Sequence, residues 1–156
     1  MRKKIIITGG LGYIGTELCK LYSGVSWHHK IIVLDNRFIS ERVNQIRNWN
    51  MDFVQGDILD KDMVKKYFQD ADVVHHLAGI TNVPRVKSEA NKLHDQMIMN
   101  VAEKGTQNIL DVINDSCKII FPSTHVVYEG IEKVKTDIKE DEDTKPVLSY
   151  SLSKSI

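Results

Sequence analysis

Short runs of β-branched residues alternate along the chain with stretches whose apolar positions recur at helical spacing. The first run, Lys4 to Thr8, holds Ile5-Ile6-Ile7 without polar alternation, as in a strand buried on both faces. A helix is predicted from about Tyr13 to Tyr22, then a strand over Lys30 to Asp35. A short helix follows near Ser40 to Asn48, with Ser40 as its N-cap and Val43, Ile46 and Trp49 turned inward. The third strand is Asp52 to Gln55, followed by a helix from about Asp60 to Gln69 with Met63, Val64 and Tyr67 on one face. The fourth strand is Asp72 to His76. A long helix, roughly Ala90 to Asn114, is expected to turn Met97, Val101, Ile109 and Val112 inward. Cys117 should open a buried fifth strand ending at Phe121, and the charged, aperiodic stretch 130–145 reads as a surface loop. A last helix should begin near Ser149. Such alternation implies an α/β fold, a doubly wound parallel sheet with helices on both faces.

Composition narrows the function classes. With 156 residues, 42% hydrophobic and 27% charged, the chain has the makings of one ordinary globular domain, residues 1–156. Formal net charge is zero, and Arg2-Lys3-Lys4 is too short to form the basic stripe of a nucleic-acid binder. Ile5-Ile6-Ile7 is too short for a membrane span or a signal segment, so a cytoplasmic protein is expected. Cys19 and Cys117 match no metal spacing, and no metal is expected; both read as reduced, packed thiols.

Candidate chemistry begins after the first strand. Gly9, Gly10, Gly12 and Gly15 satisfy two patterns at once, Gly10-x-Gly12-x-x-Gly15 and the wider Gly9-x-x-Gly12-x-x-Gly15. The first glycine permits a tight turn, Gly12 lets backbone approach a pyrophosphate, and Gly15 lets the helix sit close to the strand. The helix N-terminus then offers unpaired N–H groups to an anion. Asp35 closes the second strand twenty residues after Gly15. A carboxylate there can accept both ribose hydroxyls of adenosine, which favours NAD over NADP. Arg37 lies close enough to offer a 2′-phosphate a partner instead.

With these residues in place the chain resembles the extended short-chain dehydrogenase/reductase superfamily along nearly its whole length, in particular its NAD-dependent epimerase/dehydratase branch. Tyr13-Ile14 after the wider glycine pattern, Gly56-Asp57-Ile58, His76-Leu77-Ala78-Gly79, Asn100-Val101 with Gly105-Thr106, and Ser123-Thr124 with Val127-Tyr128 match its motifs in order. Tyr150-Ser-Leu-Ser-Lys154 matches its Tyr-x-x-x-Lys. The resemblance implies a Rossmann-type NAD-binding domain. Gly9, Gly12, Tyr13, Ile14, Gly15, Asp35, Asn36, Asp57, Ile58, Leu77, Ala78, Gly79, Asn100, Ser123, Tyr150 and Lys154 are its expected cofactor contacts. Two departures stand out. Asn100 and Gly105 are two residues further apart than the pattern, and Val127-Tyr128 is followed by Glu129 before Gly130.

The resemblance further implies catalysis by Thr124, Tyr150 and Lys154. Tyrosine and lysine four apart share one helix face. A free phenol ionises near pH 10, and a neighbouring ammonium favours the phenolate. Tyr150 would take a proton from a sugar hydroxyl as hydride leaves the same carbon, with Thr124 bonded to that oxygen. His125 and Val126 follow Thr124 where 4,6-dehydratases of the superfamily carry Asp-Glu, so a nucleotide-sugar epimerase resembling UDP-glucose 4-epimerase is expected ahead of a dehydratase. A reductase of a keto-sugar nucleotide and a non-catalytic NAD-binding module are the alternatives. The superfamily's substrate-binding C-terminal region is expected to lie beyond Ile156, so the 156-residue chain alone should bind NAD weakly; a homodimer through the long helix is expected of the full-length form.

Overall fold

The computed structural model describes residues 1–81, 91–132 and 135–155. Its elements are β1 (Lys4–Thr8), α1 (Tyr13–Tyr22), β2 (Lys30–Asp35), α2 (Ser40–Asn48), β3 (Asp52–Gln55), α3 (Lys61–Phe68), β4 (Val73–His76), α4 (Lys92–Leu110), β5 (Lys118–Ile120), a 3-10 turn (His125–Tyr128) and α5 (Ser149–Leu152). All five strands run parallel in the order β3-β2-β1-β4-β5. Parallel neighbours require crossovers, and the helices supply them. The strand order reverses direction beside β1, between β1 and β4, where a doubly wound sheet opens its ligand crevice at the carboxyl ends.

The β-branched runs became strands because both of their faces are covered. Ile5, Ile7, Ile31 and Val33 pack with Leu11, Cys19, Val43, Ile46 and Met51 in one cluster. The alternate positions Ile6, Ile32 and Leu34 face the other way and are equally buried. Phe68, fully buried at the end of α3, is a larger anchor than Met63 or Tyr67, which stay partly exposed.

The chain divides into two compact units, Met1–Gly79 with Lys104–Phe121, and Ile80–Glu103 with Pro122–Ile156. The first holds the sheet; the second holds the 3-10 turn and α5.

Several expected boundaries shift for identifiable reasons. Ser40 is the first residue of α2 rather than its cap, and Ile39 occupies the cap position without a side-chain bond. Asp60 lies outside α3 and caps it, accepting from the N–H groups of Asp62 and Met63. Met97 is 52% exposed, whereas Ile98 is buried. The inner stripe of α4 runs through Ile98, Gly105, Asn108 and Ile109, and two of those four are not apolar. Gly105 sits where a Cβ would collide with the Ile58 side chain, and Asn108 Nδ2 donates to the Ile58 carbonyl at 2.9 Å. Ala90, the expected start of that helix, lies outside the described residues. β5 is half-exposed, as befits a strand with a single partner, and Cys117 precedes it rather than opening it.

Both thiols are free. Burial pushes the Cys19 thiol up to about 12, and the side chain is fully covered. Iodoacetamide at neutral pH should therefore leave Cys19 unmodified until denaturant is added; rapid native-state labelling would contradict the packing of α1 on the sheet. His75 gives a pH signature. Burial, and then the Lys118 charge, hold its imidazole below the usual 6.5, and its Nε2 meets the Tyr22 hydroxyl at 2.8 Å. The unfolded chain thus binds this proton more readily, so stability declines as pH falls below about 6.5. His75→Gln should flatten the melting temperature between about pH 7 and pH 5.5, which thermal denaturation at both pH values checks.

Candidate cofactor turn and proton-transfer residues

The turn after β1 is built by backbone meeting backbone. Gly9 has φ +64, and a Cβ on it would lie 2.8 Å from the Ala78 nitrogen. A Cβ on Gly15 would lie 2.5 Å from the Gly9 carbonyl oxygen and 2.6 Å from Gly10 Cα. Gly12 is the N-cap of α1, extended at φ −72 and ψ 175, and no side chain caps the helix. An uncapped α1 N-terminus beside side-chain-free backbone suits a pyrophosphate. Tyr13 and Ile14, 83% and 63% exposed, begin α1 at the same place.

Asp35 stands at the carboxyl end of β2 and is almost fully buried. Its Oδ2 accepts from the Leu11 N–H at 3.0 Å, so the carboxylate fastens the glycine turn to β2. Its Oδ1 accepts from the Arg37 backbone N–H and Nε, each at 3.0 Å, and Arg37 Nη2 reaches Oδ2 at 3.2 Å. The side chain of Arg37 is 57% exposed. Arg42, on α2, donates to the Leu11 carbonyl. Neither the Leu11 contacts nor the occupied state of Asp35 leaves a signal in residue spacing.

Asn36 and Asp57 come together: Asn36 Nδ2 donates to Asp57 Oδ2 at 3.4 Å, while Asp57 Oδ1 accepts from the Leu59 N–H. Ile58 is buried, its side chain against Gly105 and its carbonyl accepting from Asn108 Nδ2. The turn Leu77-Ala78-Gly79 packs on Gly9 and is tied by the Ala78 N–H donating to Thr8 Oγ1 at 3.0 Å. Thr8 Oγ1 in turn meets His76 Nδ1 at 2.9 Å, and His76 Nε2 meets Thr106 Oγ1 at 3.0 Å. His76 is thus a buried brace of the turn, a role the sequence pattern did not single out.

The second unit contains Asn100, Ser123, Thr124, Tyr150 and Lys154. Asn100 is half-buried on α4. Thr124 opens the 3-10 turn, its Oγ1 accepting from the Val126 N–H at 3.5 Å. Ser123 Oγ donates to the Lys154 carbonyl at 2.8 Å. Tyr150 lies within α5; Lys154 lies just past it, its N–H bonded to the Ser151 carbonyl at 3.1 Å, which continues the turn. Tyr150 and Lys154 are therefore one helical turn apart. Burial holds the Lys154 amine below the ordinary lysine value. The helix begins at Ser149, as expected, and is a single turn. Glu129 and Asp95, neither singled out by pattern, bond to it.

Among the described residues no cluster of His, Cys, Asp and Glu could hold a metal ion, and no helix is long and apolar enough to cross a membrane.

Comparisons with known proteins bear on the family and the fold. The model of the 3-beta hydroxysteroid dehydrogenase/isomerase family matches residues 6–156, and the chain belongs to that family, within the extended short-chain dehydrogenase/reductase superfamily. The chain is 29% identical over 98% of its length to a dTDP-D-glucose 4,6-dehydratase of Dictyostelium discoideum, covering 38% of it. It is 31% identical over 99% of its length to a UDP-glucose 4-epimerase of Neisseria meningitidis serogroup C, covering 46% of it. The solved UDP-glucose 4-epimerase of Stenotrophomonas maltophila, with bound NAD and formylated UDP-arabinopyranose, shares the fold. Its TM-score is 0.78 at 23% identity, over 99% of this chain and 46% of that one. The chain spans less than half the length of these relatives.

The glycine geometry gives a controlled prediction. Gly15→Ala should lower the unfolding free energy by about 1–3 kcal/mol, because the colliding atoms are backbone. Gly24→Ala, with nothing within 4 Å of its Cβ, should change it by no more than about 0.5 kcal/mol. Denaturant unfolding of the two variants compares them; equal effects would refute the packing of α1 on its own loop.

Proposed function

We propose that this chain is the nucleotide-binding part of an NAD-dependent sugar-nucleotide epimerase, of the UDP-hexose 4-epimerase kind. The observation that carries it is the pairing of two features in one chain. One is a glycine turn with no room for side chains, fastened to a buried carboxylate at the end of β2. The other is a tyrosine and a lysine one turn apart, whose turn is tethered by Ser123. A redox sensor would need only the first. The relatives named above act on nucleotide sugars, and the solved epimerase of the same fold holds NAD.

In this reading the Gly12–Gly15 turn binds the pyrophosphate and Asp35 the adenosine ribose. Bound NAD supplies the acceptor and donor of hydride. Tyr150 takes the proton from the sugar hydroxyl and later returns it. Thr124 donates a hydrogen bond to that oxygen. Lys154 favours the phenolate by its charge. Elimination of water would need a further acid beside Thr124, and His125 and Val126 stand there. Leu93 and Met97 are exposed on α4, the surface through which the whole protein would pair as a homodimer.

The family model's description favours one second reading, an oxidoreductase that exchanges its cofactor each turnover. Tyr150→Phe tests the proposal in the purified protein, given NAD and UDP-glucose. Interconversion to UDP-galactose should fall by a factor of about 10² to 10⁴, with NAD binding by calorimetry unchanged. Net accumulation of reduced cofactor at 340 nm would support the second reading. Equal behaviour of variant and parent would indicate a non-catalytic binding module.

A further inference from the structure

We infer that Glu129 is the positioning residue for the turn that carries Tyr150 and Lys154, holding it through one carboxylate oxygen. This rests on the proposed function only for what that turn does, not for how it is held.

α5 has four residues, too few to be stable by its own hydrogen bonds. Its N-cap is Leu148, which has no side-chain oxygen to satisfy the first N–H groups. Glu129, from elsewhere in the chain, instead fastens the two residues that lead into the helix and one side chain within it. Its Oε1 accepts from the Val147 N–H at 2.9 Å, from the Leu148 N–H at 2.7 Å and from the Ser151 hydroxyl. Ser151 is buried one position after Tyr150. Burial raises the affinity of the Glu129 carboxyl for its proton, but the bonds from Ser151, Leu148 and Val147 together outweigh it and keep the group below the usual carboxylate value. A charged acceptor makes each of these bonds stronger than a neutral one would.

Backbone pairing delivers Glu129 to this place. The Gly130 N–H donates to the Lys145 carbonyl at 2.8 Å, and the Lys145 N–H donates to the Val127 carbonyl at 2.8 Å. A Cβ on Gly130 would lie 2.5 Å from the Lys145 oxygen, so the two segments run side by side only because residue 130 is glycine. Glu129-Gly130 is the pair that interrupts the Val-Tyr-Gly resemblance. The inserted acid therefore anchors the entry to α5, and the glycine after it makes room for that anchor. Asp95, accepting from the Ser149 hydroxyl, and Ser123, bonded to the Lys154 carbonyl, hold the same turn at other points. Glu129 takes both backbone donors immediately ahead of α5, those of Val147 and Leu148, and Ser151 Oγ shares the second at 3.1 Å.

Glu129→Ala and Glu129→Gln in the protein test this. Amide hydrogen exchange should accelerate about tenfold or more at Leu152, Ser153 and Lys154 in E129A, with β1 and β2 unchanged. E129Q, which keeps an acceptor oxygen without the charge, should lie between parent and E129A. In the turnover assay E129A should lower kcat with the KM for NAD within about twofold, and E129Q should recover part of the loss. Unchanged exchange at 152–154 in E129A overturns the inference. So does acceleration that spreads equally through β1 and β2, since that marks general destabilisation. If the parent protein shows no turnover, the proposed reaction fails, and exchange alone still decides whether Glu129 anchors the turn. Should E129A not fold, E129Q decides: it must loosen 152–154 ahead of the sheet.

Discussion

At the carboxyl ends of the adjacent strands β1 and β4, Gly9 and Ala78 bring two pieces of backbone into contact. No side chain fits between them, and what surrounds them follows from that. Because β1 and β4 end in touching turns, the polar groups at their ends cannot all reach water. Leu11 points into the core and fills the space under the turn. The Leu11 N–H is left to Asp35, which is why a carboxylate can be buried at the end of β2 without an unsatisfied oxygen. A larger residue at 9 or 15 would separate these strand ends and expose Leu11. It would also break the bond that holds Asp35 in place.

The same closeness explains a buried histidine. Thr8 Oγ1 accepts from the Ala78 N–H, so its own proton is available for His76 Nδ1. His76 Nε2 meets Thr106 Oγ1 on the other side, so both ring nitrogens have a partner. Buried polar networks of this kind favour one arrangement strongly when complete. This one fixes the Leu77–Gly79 turn relative to the first glycine, which a purely apolar contact would not orient.

The strands and first three helices were legible because burial and period coincide there. Ile5, Ile6 and Ile7 are apolar and covered on both faces, and Val43 and Ile46 fall on one helical stripe. Legibility failed where packing is done by residues that hydropathy does not count. On α4 the inner stripe uses Gly105 and Asn108, so the apolar positions alone pointed to Met97, one residue out of phase with Ile98. At Ser40 the residue type suggested a cap, yet the chain turns one residue earlier. The candidate site shows the same division. Glycine spacing and the Tyr-x-x-x-Lys pattern are local, and the turn geometry they imply is present. The partners of those residues are not local. Asp35 to Leu11, Arg42 to Leu11, His76 to Thr106 and Glu129 to Leu148 span from 19 to 31 positions, and no periodicity carries such distances. Glu129 did leave a trace, as a break in a family pattern, but its meaning needed the fold.

Asp35 shows why residue type alone does not define a binding preference. A carboxylate in this place was expected to accept the two ribose hydroxyls, but Leu11 and Arg37 already use both of its oxygens. A ribose must therefore displace the Arg37 side chain, because the Leu11 bond is part of the turn. The guanidinium is more than half exposed and can swing into water, whereas the buried carboxylate needs donors in its place. The hydroxyls that replace it restore the hydrogen bonds in a buried position, where they count for more. A 2′-phosphate would meet a different balance. It would gain Arg37 as a partner only by drawing it off Asp35, and the bared carboxylate would then face the phosphate directly. Asp35 is held in place by the glycine turn and cannot turn away. Under the proposed function the fixed acid would outweigh the movable base, and a preference for the unphosphorylated dinucleotide would follow from which of the two is tethered.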